Sequence, residues 1–162
     1  MERIANIDAL TKVRNKRAYD IEVVRLNENM HPYGIVMIDV NNLKEINDRY
    51  GHEKGDISIK KLCQVICRIF KHSPVYRIGG DEFVVILEND DYINRDSLFE
   101  TLYNAFRENA STASLEPWEQ VTGAVGFAVY TPETDSNVND VFKRADSEMY
   151  ENKKQMKESQ RT

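Results

Sequence analysis

Residues 75–87, VYRIGGDEFVVIL, decide the fold that the sequence predicts. Two runs rich in β-branched and aromatic residues flank Gly79 and Gly80. Paired glycines at such a place are typical of a β-hairpin with a tight two-residue turn, because glycine readily adopts the positive φ that this turn needs. Asp81 and Glu82 follow at the turn, although acidic residues are depleted in strands and adjacent carboxylates repel unless a cation neutralises them. The stretch therefore predicts a hairpin whose tip holds a metal ion, with a merely solvated acidic tip as the alternative.

The composition indicates one globular domain. The chain has 162 residues, of which 41% are hydrophobic and 30% charged, a usual size and composition for a single domain. The net charge of -5 argues against a general nucleic-acid binder, because such binding depends on an excess of Lys and Arg. No apolar run approaches the roughly 20 residues of a membrane span, no signal peptide is recognisable, and Cys63 and Cys67 lack the spacing of a zinc site. We expect a cytoplasmic protein without membrane contact, in which both cysteines are reduced core thiols.

A second acidic position follows a buried strand. Residues 33–40, YGIVMIDV, form a nearly continuous apolar run that predicts a strand buried on both faces. Asp39 lies at its end, where open α/β sheets bind ligands, although an Asp there is equally typical of a turn or a helix cap. If this strand ends beside the hairpin tip, the two acidic sites could share one Mg²⁺, which takes hard oxygen ligands.

Apolar periodicity predicts the remaining elements. A helix over residues 17–26, with Thr11 or Asn15 as its cap, precedes the buried strand. Three amphipathic helices are predicted. The first follows Asp56, the second covers residues 98–106, and the third runs from about residue 137 to residue 156. Their core positions are Ile59, Leu62, Cys63, Ile66, Ile69, Phe70, Leu98, Leu102, Ala105, Phe106, Val138, Val141, Phe142, Ala145 and Met149.

The connections and the last strand are read from local composition. Residues 88–94 are expected to form an acidic loop, and Trp118 is expected to pack within a loop. A strand over residues 121–130 contains Gly123 and Gly126, which mark close backbone approach or a bulge. The order helix, strand, two helices, hairpin, helix, strand, helix predicts an α+β sandwich with a mainly antiparallel central sheet flanked by helices.

Residues 77–83 spell R-x-G-G-D-E-F, which resembles the signature of the GGDEF family, the diguanylate cyclase domains. Three other segments resemble family strings in the same order. Residues 8–17 resemble D-x-L-T-G-L-x-N-R, residues 41–56 resemble D-x-F-K-x-I-N-D-x-Y-G-H-x-x-G-D, and residues 145–157 resemble A-D-x-A-L-Y-x-A-K-x-x-G-R. The departures include Lys12, Val13, Asn41, Leu43, Asn152 and Lys157, and Arg17 stands one residue later than in the family string. The resemblance spans nearly the whole chain and implies the palm-like fold of nucleotide cyclases.

The resemblance also implies a reaction and a set of site residues. The implied enzyme joins two GTP molecules into cyclic di-GMP and releases two pyrophosphates, as a transient homodimer with one GTP per subunit. The implied ligands of Mg²⁺, or of Mn²⁺ in its place, are Asp39, Asp81, Glu82 and the carbonyl of Val40. The implied catalytic residues are Asp81 as proton acceptor, Lys44 and Glu82. The implied substrate-binding residues are Asn42 and Leu43 through main-chain groups, Lys44, Asn47, His52, Asp56, Lys153 and Lys157.

Physical chemistry supports parts of this assignment. Guanine offers donors at N1 and N2 that a carboxylate accepts as a pair, whereas adenine lacks the N1 donor, so Asp56 and Asn47 are suitable guanine readers. Structural alternatives remain open at this stage. Asn47 is equally typical of a helix C-cap, Asp56 of a helix N-terminus, and Lys153 with Lys157 of a helix C-terminus.

Three features of the sequence motivate further expectations. Asn41 removes a negative charge beside the implied metal, which keeps open a silent module that binds GTP or a protein partner and regulates without turnover. Little sequence precedes the first family-like string, so we expect a single domain over residues 1–162, excised from or lacking an upstream sensor. Phe70 and Ser73 stand where many family members carry the R-x-x-D clamp for inhibitory product, so we expect weak product feedback.

Overall fold

The computed structural model describes residues 5–29 and 31–161. Along these residues the chain first forms α1 (Lys16–Glu28), β1 (Gly34–Val40), α2 (Leu43–Tyr50), α3 (His52–Ile69), β2 (Val75–Arg77), β3 (Glu82–Leu87) and α4 (Asn89–Ile93). They are followed by α5 (Arg95–Ser111), a 3-10 turn (Pro117–Glu119), β4 (Gly123–Val129) and α6 (Val138–Arg161). None of the helices within the described residues is long and apolar enough to cross a membrane.

The sheet has four strands in the order β2-β3-β1-β4, and all three pairings are antiparallel. Every residue of β1 is buried, because β1 lies inside the sheet and successive side chains point to opposite faces. One face packs Val36 and Ile38 against α3 and α5. The other face packs Ile35 and Met37 against α1 and α6. The result is a three-layer α+β sandwich, as predicted.

The hairpin is confirmed, but its predicted turn is wrong. β2 and β3 are joined by residues 78–81 rather than by a two-residue turn, and neither Gly79 nor Gly80 has a positive φ. The Ile78 N–H donates to the Glu82 carbonyl at 3.0 Å. The guanidinium of Arg77 donates to the Gly80 carbonyl at 2.8 Å. A side chain that closes the loop removes the need for the special backbone conformation on which the prediction relied.

Two other boundaries differ from the sequence prediction. The expected acidic loop over residues 88–94 contains the short helix α4, in which Asp91 is buried and accepts a hydrogen bond from the Ser73 hydroxyl. The last helix continues to Arg161 instead of ending near Met156. The sequence after Met156 contains no Gly or Pro, so nothing in it terminates a helix.

The segment before α1 runs along the edge of β2. The Arg14 N–H donates to the Val75 carbonyl at 3.2 Å, and the Arg77 N–H donates to the Arg14 carbonyl at 2.8 Å. Asp8 then forms an ion pair with Arg77 at 3.2 Å. Asp8 also accepts from both the backbone and the hydroxyl of Thr11, and these bonds lower its pKa against the opposing effect of burial. Thr11 therefore belongs to this turn, whereas Asn15 is the N-cap of α1.

Lys12 lies in the same turn with φ 67°, in the left-handed region that glycine prefers. Left-handed backbone costs an ordinary residue about 1–2 kcal/mol, and glycine loses roughly 0.5–1 kcal/mol through its freer unfolded chain. We therefore expect Lys12→Gly to raise the free energy of unfolding by roughly 0.5–1 kcal/mol, as measured by urea denaturation. Lys60→Gly is the matched control, because Lys60 is an exposed lysine inside α3. Lys60→Gly should lower the free energy of unfolding by about 1 kcal/mol. Loss of stability in both variants would contradict backbone strain at Lys12.

Candidate active site

The pairing of β1 with β3 brings the two acidic segments together. Asp39 stands directly opposite Glu82 in the register, so both side chains lie on the same face of the sheet. The Val40 N–H donates to the Asp81 carbonyl at 3.0 Å, which fixes the hairpin tip against the end of β1. Glu82 bends back over the turn, where a Cβ on Gly79 would lie 3.2 Å from its Oε1.

Asp39 is buried, with 6% of its surface exposed, and this burial dominates its electrostatics. Desolvation, together with the neighbouring carboxylate of Asp81, raises the pKa of Asp39 to about 6 against the hydrogen bond from Lys153. Lys153 Nζ donates to Asp39 Oδ2 at 2.6 Å. Asp39 Oδ1 is buried without a hydrogen-bond partner in the described part of the chain. The site thus holds more negative charge than Lys153 alone neutralises.

These donors fit a divalent cation. Within residues 5–29 and 31–161, no three or more His, Cys, Asp or Glu side chains are already gathered as a metal site. Mg²⁺, however, commonly binds through one or two carboxylates and takes its other ligands from water and substrate phosphates. The partnerless oxygen of Asp39 and the adjacent Asp81 meet that requirement. The assignment of Asp39, Val40, Asp81 and Glu82 as metal ligands stays a prediction.

Helix α2 begins beside the end of β1. Its N-cap, Asn42, has φ 61° and makes no capping hydrogen bond through its side chain. The first backbone bond of the helix runs from the Ile46 N–H to the Asn42 carbonyl at 3.0 Å. The N–H groups of the first turn therefore point out of the helix uncapped, a geometry that suits an anion. Lys44 is exposed in this turn, and Leu43 is half-buried.

Asn47 faces the start of α3 across Gly55. A Cβ on Gly55 would lie 1.8 Å from Asn47 Oδ1, so only glycine leaves room for this amide. Asn47 Oδ1 is buried and has no hydrogen-bond partner among the described residues, an arrangement that costs free energy unless a ligand supplies a donor. His52 and Asp56 are exposed on the first turns of α3. The structure places the three predicted base-binding residues, Asn47, His52 and Asp56, near one helix junction but records no side-chain hydrogen bond from His52 or Asp56 within the described residues.

Helix α6 is fixed against the edge strand β4. A Cβ on Gly126 would lie 2.0 Å from the Ala145 carbonyl, which confirms the predicted close backbone approach. Asn152 Oδ1 accepts from the Val125 N–H at 2.9 Å, so the next residue, Lys153, is held beside Asp39. Lys157 lies one turn further on, exposed, and forms no ion pair within the described residues.

Two functional supports were missed by sequence reasoning. Asn41 donates to the Thr122 hydroxyl at 2.9 Å and to Met156 Sδ at 3.4 Å, so this departure from the family string ties the end of β1 to α6. Asn152, another departure, satisfies a backbone donor of an edge strand. Both contacts join residues far apart in sequence, and no local pattern could have indicated them. Trp118 also has a partner that was not predicted, Tyr50, whose ring centroid lies 5.1 Å away.

Comparisons with known proteins identify the family that this sequence resembles. A family model described as "Diguanylate cyclase, GGDEF domain" matches residues 5–159. The probable diguanylate cyclase DgcT of Escherichia coli (strain K12) is 30% identical over 156 residues, which cover 94% of this chain and 34% of DgcT. A diguanylate cyclase of Vibrio cholerae serotype O1 is 30% identical over 159 residues, which cover 94% of this chain and 48% of that protein. The chain thus spans less than half the length of these curated relatives.

A solved structure extends the comparison to three dimensions. It contains the coiled coil and GGDEF domain of DgcB from Caulobacter crescentus in complex with c-di-GMP. Its TM-score to this chain is 0.76 at 27% sequence identity, and the match covers 94% of this chain and 83% of that chain. The fold inferred from the sequence is therefore that of a known structural class.

The raised pKa of Asp39 predicts a pH-dependent cost to stability. Because the pKa is about 6 in the folded protein and 3.8 for an ordinary Asp, the folded state binds this proton more tightly. The stabilisation that this tighter proton binding gives to the fold is complete below pH 3.8 and is lost as the pH rises through about 6, where the buried carboxylate becomes charged. We expect Asp39→Asn, without added metal, to be more stable than wild type by about 1–2 kcal/mol at pH 7.5. The difference should shrink towards pH 4.

Urea denaturation at several pH values measures this difference. Asp96→Asn is the control, because Asp96 is an exposed carboxylate on α5, on the other face of the sheet. Added Mg²⁺ should stabilise wild type and leave Asp39→Asn unchanged, since a ligand stabilises only a state that it binds. An Asp39→Asn protein less stable than wild type at pH 7.5 would contradict the raised pKa.

Proposed function

The chain belongs to the GGDEF family of diguanylate cyclase domains, and we propose that it condenses two GTP molecules into cyclic di-GMP and releases two pyrophosphates. Each subunit of a homodimer would bind one GTP, and the 3′-OH of one substrate would attack the α-phosphate of the other. The observation that carries this proposal is the meeting of Asp39, Asp81 and Lys153 at the end of β1, beside the uncapped first turn of α2.

The phosphate subsite follows from the cations and N–H groups around this point. Main-chain groups of Asn42 and Leu43, with the side chain of Lys44, lie at the start of α2 and would hold the triphosphate. Lys153 is already directed to the site through Asp39, and Lys157 follows one turn later on α6. Catalysis of phosphoryl transfer requires mainly positioning of the substrate and stabilisation of charge. These residues would supply both without a covalent nucleophile.

A divalent cation at Asp39, the Val40 carbonyl, Asp81 and Glu82 would neutralise charge on the phosphates and polarise the reacting phosphoryl group. Asp81 is the proposed proton acceptor for the attacking 3′-OH. Its place at the hairpin tip is fixed by the bond between its carbonyl and the Val40 N–H. Glu82 is held close to Asp81, and desolvation together with that neighbour raises the pKa of Glu82. A divalent cation bound by both carboxylates would relieve this repulsion.

The base subsite is proposed at the junction of α2 and α3. The buried oxygen of Asn47 has no partner among the described residues and would accept from the guanine edge. Asp56 would accept from N1 and N2, and His52 lies at the entrance of the same junction. Adenine would leave the acceptors without their donors, and an unpaired polar group that the bound base covers costs about 1–3 kcal/mol.

A silent module remains the second candidate, motivated by Asn41 and by the altered terminal string with Asn152 and Lys157. Asn41 and Asn152 have structural partners on α6 and β4, and Lys157 keeps a positive charge where the family string has Arg. These contacts favour the cyclase. A silent module would bind GTP with Mg²⁺, seen as a raised melting temperature, and form no product.

Incubation of the pure chain with GTP and Mg²⁺, with products resolved by chromatography, tests the activity. We expect cyclic di-GMP, and we expect Asp81→Asn to reduce its formation by at least about 100-fold, because a general base contributes that much. Asp96→Asn should behave as wild type. Near-normal turnover by a folded Asp81→Asn protein would overturn the role of Asp81.

Nucleotide preference tests the base subsite separately. Wild type should bind GTP more tightly than ATP, and Asp56→Ser should shrink the ratio of their dissociation constants by roughly 5- to 150-fold, the equivalent of about 1–3 kcal/mol. Asp96→Ser is the control and should keep the wild-type ratio. Equal affinity of wild type for both nucleotides would exclude guanine recognition, whether or not product forms.

A further inference from the structure

A cavity of about 400 Å³ lies between the segment before α1 and the end of α3, away from the proposed active site. Its apolar wall includes Val13, Phe70 and Val75. The volume lies in the range of pockets that hold a small organic molecule. None of the residues assigned above to metal, phosphate or base lines this cavity.

The polar lining of the cavity is cationic. Lys12, Arg14 and Lys71 line it, and among the described residues no carboxylate does. The three side chains form no ion pair with a carboxylate of residues 5–29 or 31–161. The chain as a whole carries a net charge of -5, so this concentration of uncompensated positive charge runs against the overall balance. Such a cleft attracts anions.

The same cavity contains a thiol. Cys67 lines it and is half-buried, while Cys63 is buried one helical turn earlier in α3. Their Sγ atoms lie 4.0 Å apart. The hydrogen bond between the two thiols lowers the pKa of Cys67 and outweighs the opposing effect of burial. Partial exposure, a cationic surrounding and a stabilised thiolate are the conditions under which cysteines react.

We propose that Cys67 is a modification site that undergoes thiol–disulfide exchange with an anionic low-molecular-weight disulfide bound in this cavity. The Cys67 thiolate attacks one sulfur of the disulfide, and a new S–S bond forms between Cys67 and that half. The original S–S bond breaks, and the other half leaves as a thiolate that takes up a proton. Two electrons pass from the Cys67 sulfur to the leaving half, so no further oxidant is needed.

The helix geometry makes a mixed disulfide the expected product. Residues four apart in a helix have Cβ atoms roughly 5–6 Å apart, whereas a disulfide requires about 3.8 Å. Cys63 could displace the adduct only by deforming α3, which is packed in the core through Leu62 and Ile66. Cys63 therefore stabilises the Cys67 thiolate and does not resolve the adduct.

The wall of the cavity also contacts the hairpin that carries the proposed catalytic residues. Arg14, which lines the cavity, accepts through its carbonyl from the Arg77 N–H at 2.8 Å.

The inference about Cys67 nevertheless stands independently of the proposed cyclase activity. Its test accordingly measures covalent modification and not turnover.

Intact-mass measurement on the full folded chain tests the proposal with oxidised glutathione as the anionic disulfide and cystamine as the cationic one. We expect one glutathione per chain, located at Cys67 by peptide mapping, and no internal disulfide. Each rate is divided by the rate of the same disulfide with an unstructured cysteine peptide. On that scale, glutathione should react at least about ten-fold faster than cystamine.

Matched variants separate the thiol from the charge. Cys67→Ser and Cys67→Ala should form no adduct, and Cys63→Ser, whose hydroxyl keeps a donor, should form the same adduct. Lys71→Glu should reduce the preference for glutathione by about three-fold or more. Lys60→Glu makes the same charge change at an exposed position of α3 outside the cavity and should leave the preference unchanged.

Three outcomes would overturn the proposal. The first is absence of the adduct in the folded chain under conditions that modify the urea-unfolded chain. The second is modification chiefly at Cys63 or formation of an internal disulfide. The third is equal normalised rates for glutathione and cystamine, which would leave a reactive thiol but exclude the anion-binding cavity.

Discussion

The antiparallel register between β1 and β3 is the constraint on which the proposed site depends. It places Asp39 opposite Glu82 and joins Val40 to the hairpin tip. A shift of one residue would turn Asp39 to the other face of the sheet, among the side chains that pack on α3 and α5. The alternating burial of β1 in two cores prevents that shift, because every apolar side chain would move to the wrong layer. Site geometry and core packing are therefore specified by the same pairing.

The hairpin tip is held from outside the sheet as well. Arg77 links three parts of the chain, since it donates to the Gly80 carbonyl, pairs with Asp8 and bonds through its backbone to Arg14. The segment before α1 thereby supports the turn that carries Asp81. Arg77 belongs to the R-x-G-G-D-E-F string and Asp8 to the first family-like string. Their ion pair gives a physical reason for the occurrence of both strings in one chain.

Local patterns predicted what local physics determines. The buried strand, the core faces of α3 and α6 and the close approach at Gly126 followed from burial and periodicity, because each element must hide one face. The turn at Gly79 and Gly80 was predicted wrongly. The side chain of Arg77 closes this loop, and the sequence pattern does not show that contact. The contacts of Asn152 and Asn41 connect distant segments and required the folded chain. The roles of the site residues followed from the family resemblance, and the geometry supports their grouping.

The end of β1 concentrates unfavourable electrostatics in one place. Asp39 is buried beside Asp81, and its pKa rises although Lys153 donates a hydrogen bond to it. A site selected only for stability would place a neutral residue there, since burying a carboxylate beside a second carboxylate is costly even when a lysine pairs with it. Functional sites retain such costs when a ligand relieves them. The oxygens of Asp39 and Asn47, which have no partner among the described residues, belong to the end of β1 and to α2, whose first turn is uncapped, so a single ligand with bound cation, phosphates and a base edge could relieve all three deficits together. That shared requirement is the physical reason to regard them as one site.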